Sequence, residues 1–118
     1  MSISVLAISF DANHANRLAQ FWAQALQRAV NDGATEDFAS IAADTDTRLG
    51  VVLMFHKVPE DKTVKNRMHI DLQASDVLAE ADRLTSLGAK QIRSLAENNN
   101  RWISFTDPEG NEFDLVVG

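Results

Sequence analysis

Hydrophobic and small or polar residues alternate one by one at several places along this chain, and between those places the period lengthens to three and four. In the opening stretch SISVLAISF, Leu6, Ile8 and Phe10 alternate with Ala7, Ser9 and Asp11. That is the signature of a strand with one apolar face and one small or polar face. In ANRLAQFWAQALQRAV, residues 15–30, Leu18, Phe21, Trp22, Ala25, Leu26, Ala29 and Val30 recur at three-four spacing, which predicts an amphipathic helix. Asn13 is the expected N-cap and Gly33 the expected stop. DFASIAA reads as a strand, DTDT as an acidic turn, and RLGVVLMFHKV as a further strand. In the last of these, Val51, Leu53 and Phe55 share one face and Val52, Met54 and His56 the other.

After the polar connector PEDKTVKN, which begins at Pro59, the same order returns. RMHIDLQA predicts a strand, with Ile70 and Leu72 pointing one way and His69, Asp71 and Gln73 the other. DVLAEADRLTSLGA predicts a helix with Val77, Ala81, Leu84 and Gly88 along its inner side and Ser75 or Asp76 as cap. KQIRSLAE and RWISFT read as strands joined by a turn at NNN. Asp107-Pro108-Glu109-Gly110 has the residues of a tight turn: proline presets φ and glycine takes the positive-φ position. EFDLVV is the last strand, with Phe113, Leu115 and Val117 opposite Glu112, Asp114 and Val116.

The expected architecture is therefore α+β: one domain over residues 1–118 made of two βαβββ modules, 1–58 and 66–118. A chain of 118 residues fits a single domain, and 45% apolar content is enough for a core. In each module the aliphatic strand faces are expected on the helix. The opposite faces carry Ser9, Asp11, Met54, His56, His69, Asp71, Gln73, Ser104, Glu112 and Asp114. A plain solvent face would be rich in lysine and glutamate. This mixture of small, soft and titratable groups is what a ligand pocket requires.

Composition narrows the chemistry. There is no cysteine, which excludes disulfides, thiolate nucleophiles and sulfur-based zinc sites. The formal charge is -6 and the pI about 4.9. With Lys62, Lys65 and Arg67 as the only basic cluster, nucleic acid is not an expected partner. No apolar run spans a bilayer and no signal peptide is recognisable, so a cytoplasmic location is the default expectation and no membrane partner is expected.

Three stretches resemble the vicinal oxygen chelate superfamily, which includes glyoxalase I, fosfomycin and bleomycin resistance proteins, methylmalonyl-CoA epimerase and extradiol dioxygenases. They are LAQFWAQAL, NRMHIDLQASDVLAEADRLTSLGA and FTDPEGNEFDLV, the last with the DPxGN turn. FHKVPEDKTVKNRMHIDL resembles a small glyoxalase-like subgroup. The resemblance implies a curved, cup-like mixed sheet, frequent dimerisation, and in many members a divalent metal held on the inward strand faces. Carried over position by position, it puts metal ligands at His56, His69 and Asp114, with aspartate where glutamate is usual. Ala7 stands where metal-binding members often carry histidine, so a four-ligand glyoxalase site is not expected.

Two imidazoles and a carboxylate suit iron, zinc, nickel or manganese. Without metal, His69 and Asp114 remain candidates for acid-base catalysis, and His69 is expected to be oriented by Asp71 or Gln73. Ser9, Met54, Asp71, Gln73, Trp102 and Ser104 are the expected substrate-binding residues. Trp22 is assigned to the core, His14 to solvent, Asp107 and Gly110 to the turn, Lys62 to a solvated loop, and Asn66 and Arg67 to bracing the strand that follows. Two functions stay open: binding of a small organic molecule with no committed chemistry, and a metal-dependent lyase, isomerase or dioxygenase. A homodimer is expected on family grounds.

Overall fold

The structure, a computed structural model, describes residues 2–43, 51–97 and 100–118, with the side chains of 95–97, 100 and 101 outside that description. The expected DTDT turn and most of the NNN turn lie outside the described residues. Contacts divide the chain into two compact units, residues 1–61 and 62–118.

In the first unit the strands among the described residues are β1 (Ala7–Ala12), β2 (Phe38–Ile41) and β3 (Val52–Lys57), with helix α1 (Ala15–Leu26) after β1, so the described order is βαββ where βαβββ was expected. The sheet order is β1-β3-β2; β1 runs parallel to β3 and β2 antiparallel to it. The helix packs on all three strands. Its apolar stripe meets the aliphatic faces of β2 and β3 as expected, with Leu18, Phe21, Trp22, Ala39, Ile41, Leu53 and Phe55 all buried; on the expected apolar face of the first strand Phe10 is half-buried, but Ile8 and Leu6 are exposed. Phe10 stacks on Phe55 at 4.9 Å and leans on Trp22 at 5.4 Å. Fully burying side chains of this size contributes roughly 1.5–3 kcal/mol each.

The ends of α1 differ from expectation. The N-cap is His14, not Asn13: its Nδ1 accepts the main-chain N–H of Arg17 at 3.1 Å. Asn13 has another task, since its amide donates to the carbonyls of Val58 and Glu60. The helix also stops seven residues before Gly33. Gln27 takes the left-handed conformation at φ 56°, and the amides of Gln27 and Arg28 close on Gln24 and Ala23. Ending there frees Arg28, whose guanidinium donates to the carbonyls of Ala42 and Val51, on either side of residues 44–50.

The second unit contains β4 (Ile70–Ala74), α2 (Val77–Leu87), β5 (Lys90–Glu97), β6 (Asn100–Thr106) and β7 (Glu112–Val117). Its sheet order is β4-β7-β6-β5. The first strand lies parallel to the last, and the other pairs are antiparallel. Helix α2 is capped by Asp76, which accepts from Ala79 N, and ends at Gly88 with φ 118°. Val77, Ala81 and Leu84 are buried against a face made of Ile103, Phe105, Phe113 and Leu115. Phe105 and Phe113 stack at 5.3 Å. In β5 the register shifts between Gln91 and Arg93.

Between β6 and β7 the expected tight turn forms, and the Asp107 carboxylate organises it. The residue is 3% exposed. It accepts the main-chain amides of Glu109 and Asn111 and the side-chain amide of Asn111. Gly110 supplies φ 94°. Lys62 departs from the expected solvated loop: its ammonium lies 2.9 Å from Glu112, with side chains 20% and 21% exposed. Asn66 braces the same place, its N–H donating to Glu112 Oε1 at 3.1 Å and its side chain to Asn111 at 2.9 Å.

Two expectations follow. Replacing Asp107 with alanine orphans several donors at once, so chemical denaturation should show a loss of about 2–3 kcal/mol. Partial burial raises the Glu112 carboxyl, but the Lys62 ammonium and the Asn66 amide outweigh it, so the group titrates below its ordinary 4.5. A carboxyl depressed in the folded state stabilises the protein above its unfolded value and loses that contribution as pH falls through the folded one. The acid limb of a Tm-against-pH profile below about pH 4.5 should therefore be shallower in Glu112→Gln than in the wild type.

Candidate functional site

Strand pairing in the second unit brings titratable residues from distant parts of the chain onto one face. In the parallel β4–β7 ladder Asp71 is directly opposite Asp114, and in the antiparallel β6–β7 ladder Ser104 is opposite Asp114. Period two then puts Asp71, Asp114 and Ser104 on the face away from α2. His69 immediately precedes β4. The expected strand began at Arg67, but the observed one begins at Ile70. Even so, the ring of His69 keeps company with Asp71, as the alternation requires.

The contacts define the protonation pattern. His69 Nδ1 lies 2.8 Å from Asp71 Oδ1. A carboxylate only accepts, so Nδ1 carries the hydrogen and Nε2 keeps its lone pair while the ring is neutral. This is the orienting partner expected for His69, and it is Asp71 rather than Gln73. On the next strand the Ser104 hydroxyl donates to Asp114 Oδ1 at 2.7 Å. The expected substrate-binding hydroxyl is thus engaged by the carboxylate beside it. His69 and Asp71 are well exposed, with side-chain values of 40% and 59%, and Asp114 is half-buried.

One donor atom from each of His69, Asp71 and Asp114 lies within 4.8 Å of the others. Two carboxylates on adjacent strands at the same register repel each other. The imidazole N–H and the serine hydroxyl each offset part of that repulsion, and a divalent cation would offset more. The donor set, one imidazole and two carboxylates, fits borderline and hard divalent ions such as manganese, iron, nickel or zinc.

Sequence reasoning placed Asp71 among substrate contacts and did not assign it to the donor cluster. Its position two residues after His69 was the available signal. The pairing with Asp114 was not visible, because parallel register between residues 43 apart leaves no local trace. Gln73 is exposed and Trp102 half-buried on the same face, at register positions that both adjoin Val116.

The remaining candidates belong to the first unit. Ser9 pairs with Met54 and Asp11 with His56 along the parallel β1–β3 ladder, all on the face away from α1. His56 is exposed, and its ring lies 5.1 Å from that of Phe38. Among the described residues, no helix is long and apolar enough to cross a membrane.

The geometry can be set beside known proteins. A family model described as a glyoxalase-like domain matches residues 7–116. A search of curated proteins gives no significant match. Among solved structures, a glyoxalase/bleomycin resistance protein/dioxygenase family enzyme from Burkholderia phytofirmans PsJN is 13% identical, with TM-score 0.76 over 98% of this chain and 98% of that one. The genomically encoded fosfomycin resistance protein FosX from Listeria monocytogenes is 15% identical, with TM-score 0.76 over 100% of this chain and 95% of that one. A mutant of that Listeria protein, in complex with Mn(II) and 1S,2S-dihydroxypropylphosphonic acid, is 16% identical, with TM-score 0.76 over 100% and 92% of the two chains. At these identities the solved structures speak for the fold. The match across nearly the whole sequence speaks for descent: this chain belongs to the glyoxalase-like domain family of the vicinal oxygen chelate superfamily.

Proposed function

We propose that this protein binds a small organic molecule with the help of a divalent cation held by His69, Asp71 and Asp114. The observation that carries the reading is the convergence of those three donors on one sheet face, within 4.8 Å of one another. A fold relative captured with Mn(II) and a dihydroxylated phosphonic acid supports the same ligand chemistry. Bound there, the cation would supply positive charge to oxygen atoms of the ligand. In the metal-free protein the His69 ring is held by Asp71 and one oxygen of Asp114 by Ser104; a cation shared by the three donors would take the place of the hydrogen between His69 and Asp71. Gln73 and Trp102, on the same sheet face of the second unit, are proposed as walls of the small-molecule site. The activity this reading favours is that of a lyase, isomerase or dioxygenase. A cytoplasmic homodimer is its proposed setting, and light scattering should return twice the 13.0 kDa chain mass.

A second reading is supported by the short contact between His69 and Asp71 alone. An imidazole oriented by a carboxylate through Nδ1 is equipped to act as a general base at Nε2. In that case His69 and Asp114 would form an acid-base pair that works without metal.

Calorimetric titration of metal-free protein with Mn²⁺, Ni²⁺ and Zn²⁺ separates the two. One equivalent should bind. His69→Ala and Asp114→Ala should weaken binding by roughly 100-fold, beyond the smaller losses usual for groups outside the ligand set. His56→Ala in the same titration shows whether that residue takes part. Absence of heat and of any thermal shift with all three ions would remove the cation and leave the acid-base reading.

A further inference from the structure

His69 differs from the other two donors in what holds its backbone. Asp71 and Asp114 lie within strands and are fixed by the β4–β7 ladder, whose first pair is Ile70 with Phe113. His69 stands one residue outside it. Extending the register by one step brings position 69 beside Glu112, on the face that carries Asp71 and Asp114. The placement of the imidazole therefore depends on what fixes the segment leading into it.

That segment is fastened by one carboxylate. Glu112, the first residue of β7, accepts from Lys62 Nζ at 2.9 Å through Oε2 and from the main-chain amide of Asn66 at 3.1 Å through Oε1. The Asn66 side chain donates to Asn111 Oδ1 at 2.9 Å, and Asn111 is itself held by the buried Asp107 carboxylate. Residues 62 and 66 are thus tied to the turn and to the start of β7, and the second tie is three residues from His69. Three residues of extended chain span about 10 Å at most, so a fixed point there restricts where the ring can reach.

We propose that Glu112 and Asn66 are positioning residues for His69: they hold its approach so that the imidazole meets Asp71 and Asp114, without touching the ligand themselves. The proposal rests on the cation site described above, and it also predicts a property of the metal-free protein. Full-length Glu112→Ala, Glu112→Gln, Asn66→Ala and His69→Ala variants should be compared by thermal melting, by calorimetric titration with Mn²⁺, Ni²⁺ and Zn²⁺, and by the ¹⁵N shift of the His69 ring. The chain has three histidines, and His69→Ala assigns the signal.

Glu112→Ala and Asn66→Ala are expected to weaken ion binding about tenfold, as losses outside a ligand set do. Both should move the Nδ1 shift toward that of an unrestrained imidazole. Glu112→Gln keeps an acceptor for the Asn66 amide and should recover most of the wild-type behaviour. A folded Glu112→Ala variant with wild-type affinity and ring shift overturns the proposal. If Glu112→Ala does not fold, Asn66→Ala decides on the same criteria. If His69→Ala leaves ion binding unchanged, the cation reading fails, while the ring shift in the metal-free variants still decides whether these residues position His69.

Discussion

The parallel pairing of β4 with β7 is the constraint on which the candidate site depends. It sets Asp71 against Asp114 at one register position, and it sets Ile70 against Phe113 at the adjacent one. Phe113 is fully buried and stacks on Phe105. A slip of one residue would turn Phe113 out to solvent and Asp114 into the apolar core. Either displacement costs several kcal/mol. The hydrophobic register and the position of the carboxylate are therefore one specification, enforced by the core rather than by the site.

Around that ladder, polar contacts have a consistent direction. Asp107 satisfies the turn before β7, Glu112 gathers the segment before β4, and Ser104 and His69 donate to the two facing carboxylates. Each of these four acidic groups, Asp71, Asp107, Glu112 and Asp114, is met by a donor on the chain. A repulsive pair of side chains can persist in a folded protein when its neighbours compensate it in this way, and the remaining negative potential would favour the cation proposed above.

Much of this was legible in the alternation of residue types, and the failures have physical causes. The strands around Phe55, Phe105 and Phe113 were readable because one face is apolar and the period is two. The inner stripe of α2 was readable for the corresponding reason at the helical period. The first helix was misjudged at both ends. Asn13 is the better cap by propensity but is drawn away by two distant carbonyls, and His14, next in line, takes the place. The glycine at 33 looked like a stop, yet the chain leaves the helix at Gln27, where Arg28 is needed to hold the chain on both sides of residues 44–50. His69, Asp71 and Asp114 were each identifiable as polar residues on strands with an aliphatic side. The meeting of His69 with Asp114 was implied by family resemblance alone, and that of Asp71 with Asp114 was not foreseen, because it is made by a parallel ladder between segments 43 residues apart. Lys62 could not be read from its neighbours at all: its partner is 50 positions away.

The irregularity in β5 bears on how this protein tolerates crowding. That strand lies at one edge of its sheet, and its ladder changes step between Gln91 and Arg93, around an exposed Ile92. An outer strand of regular spacing offers a template on which a copy from another molecule can continue the sheet. Here the spacing of donors and acceptors is broken midway and an arginine follows the break, so an incoming strand that matches one half is out of phase with the other. The same local irregularity that disturbs one ladder within the unit thereby discourages fibrous growth from its border.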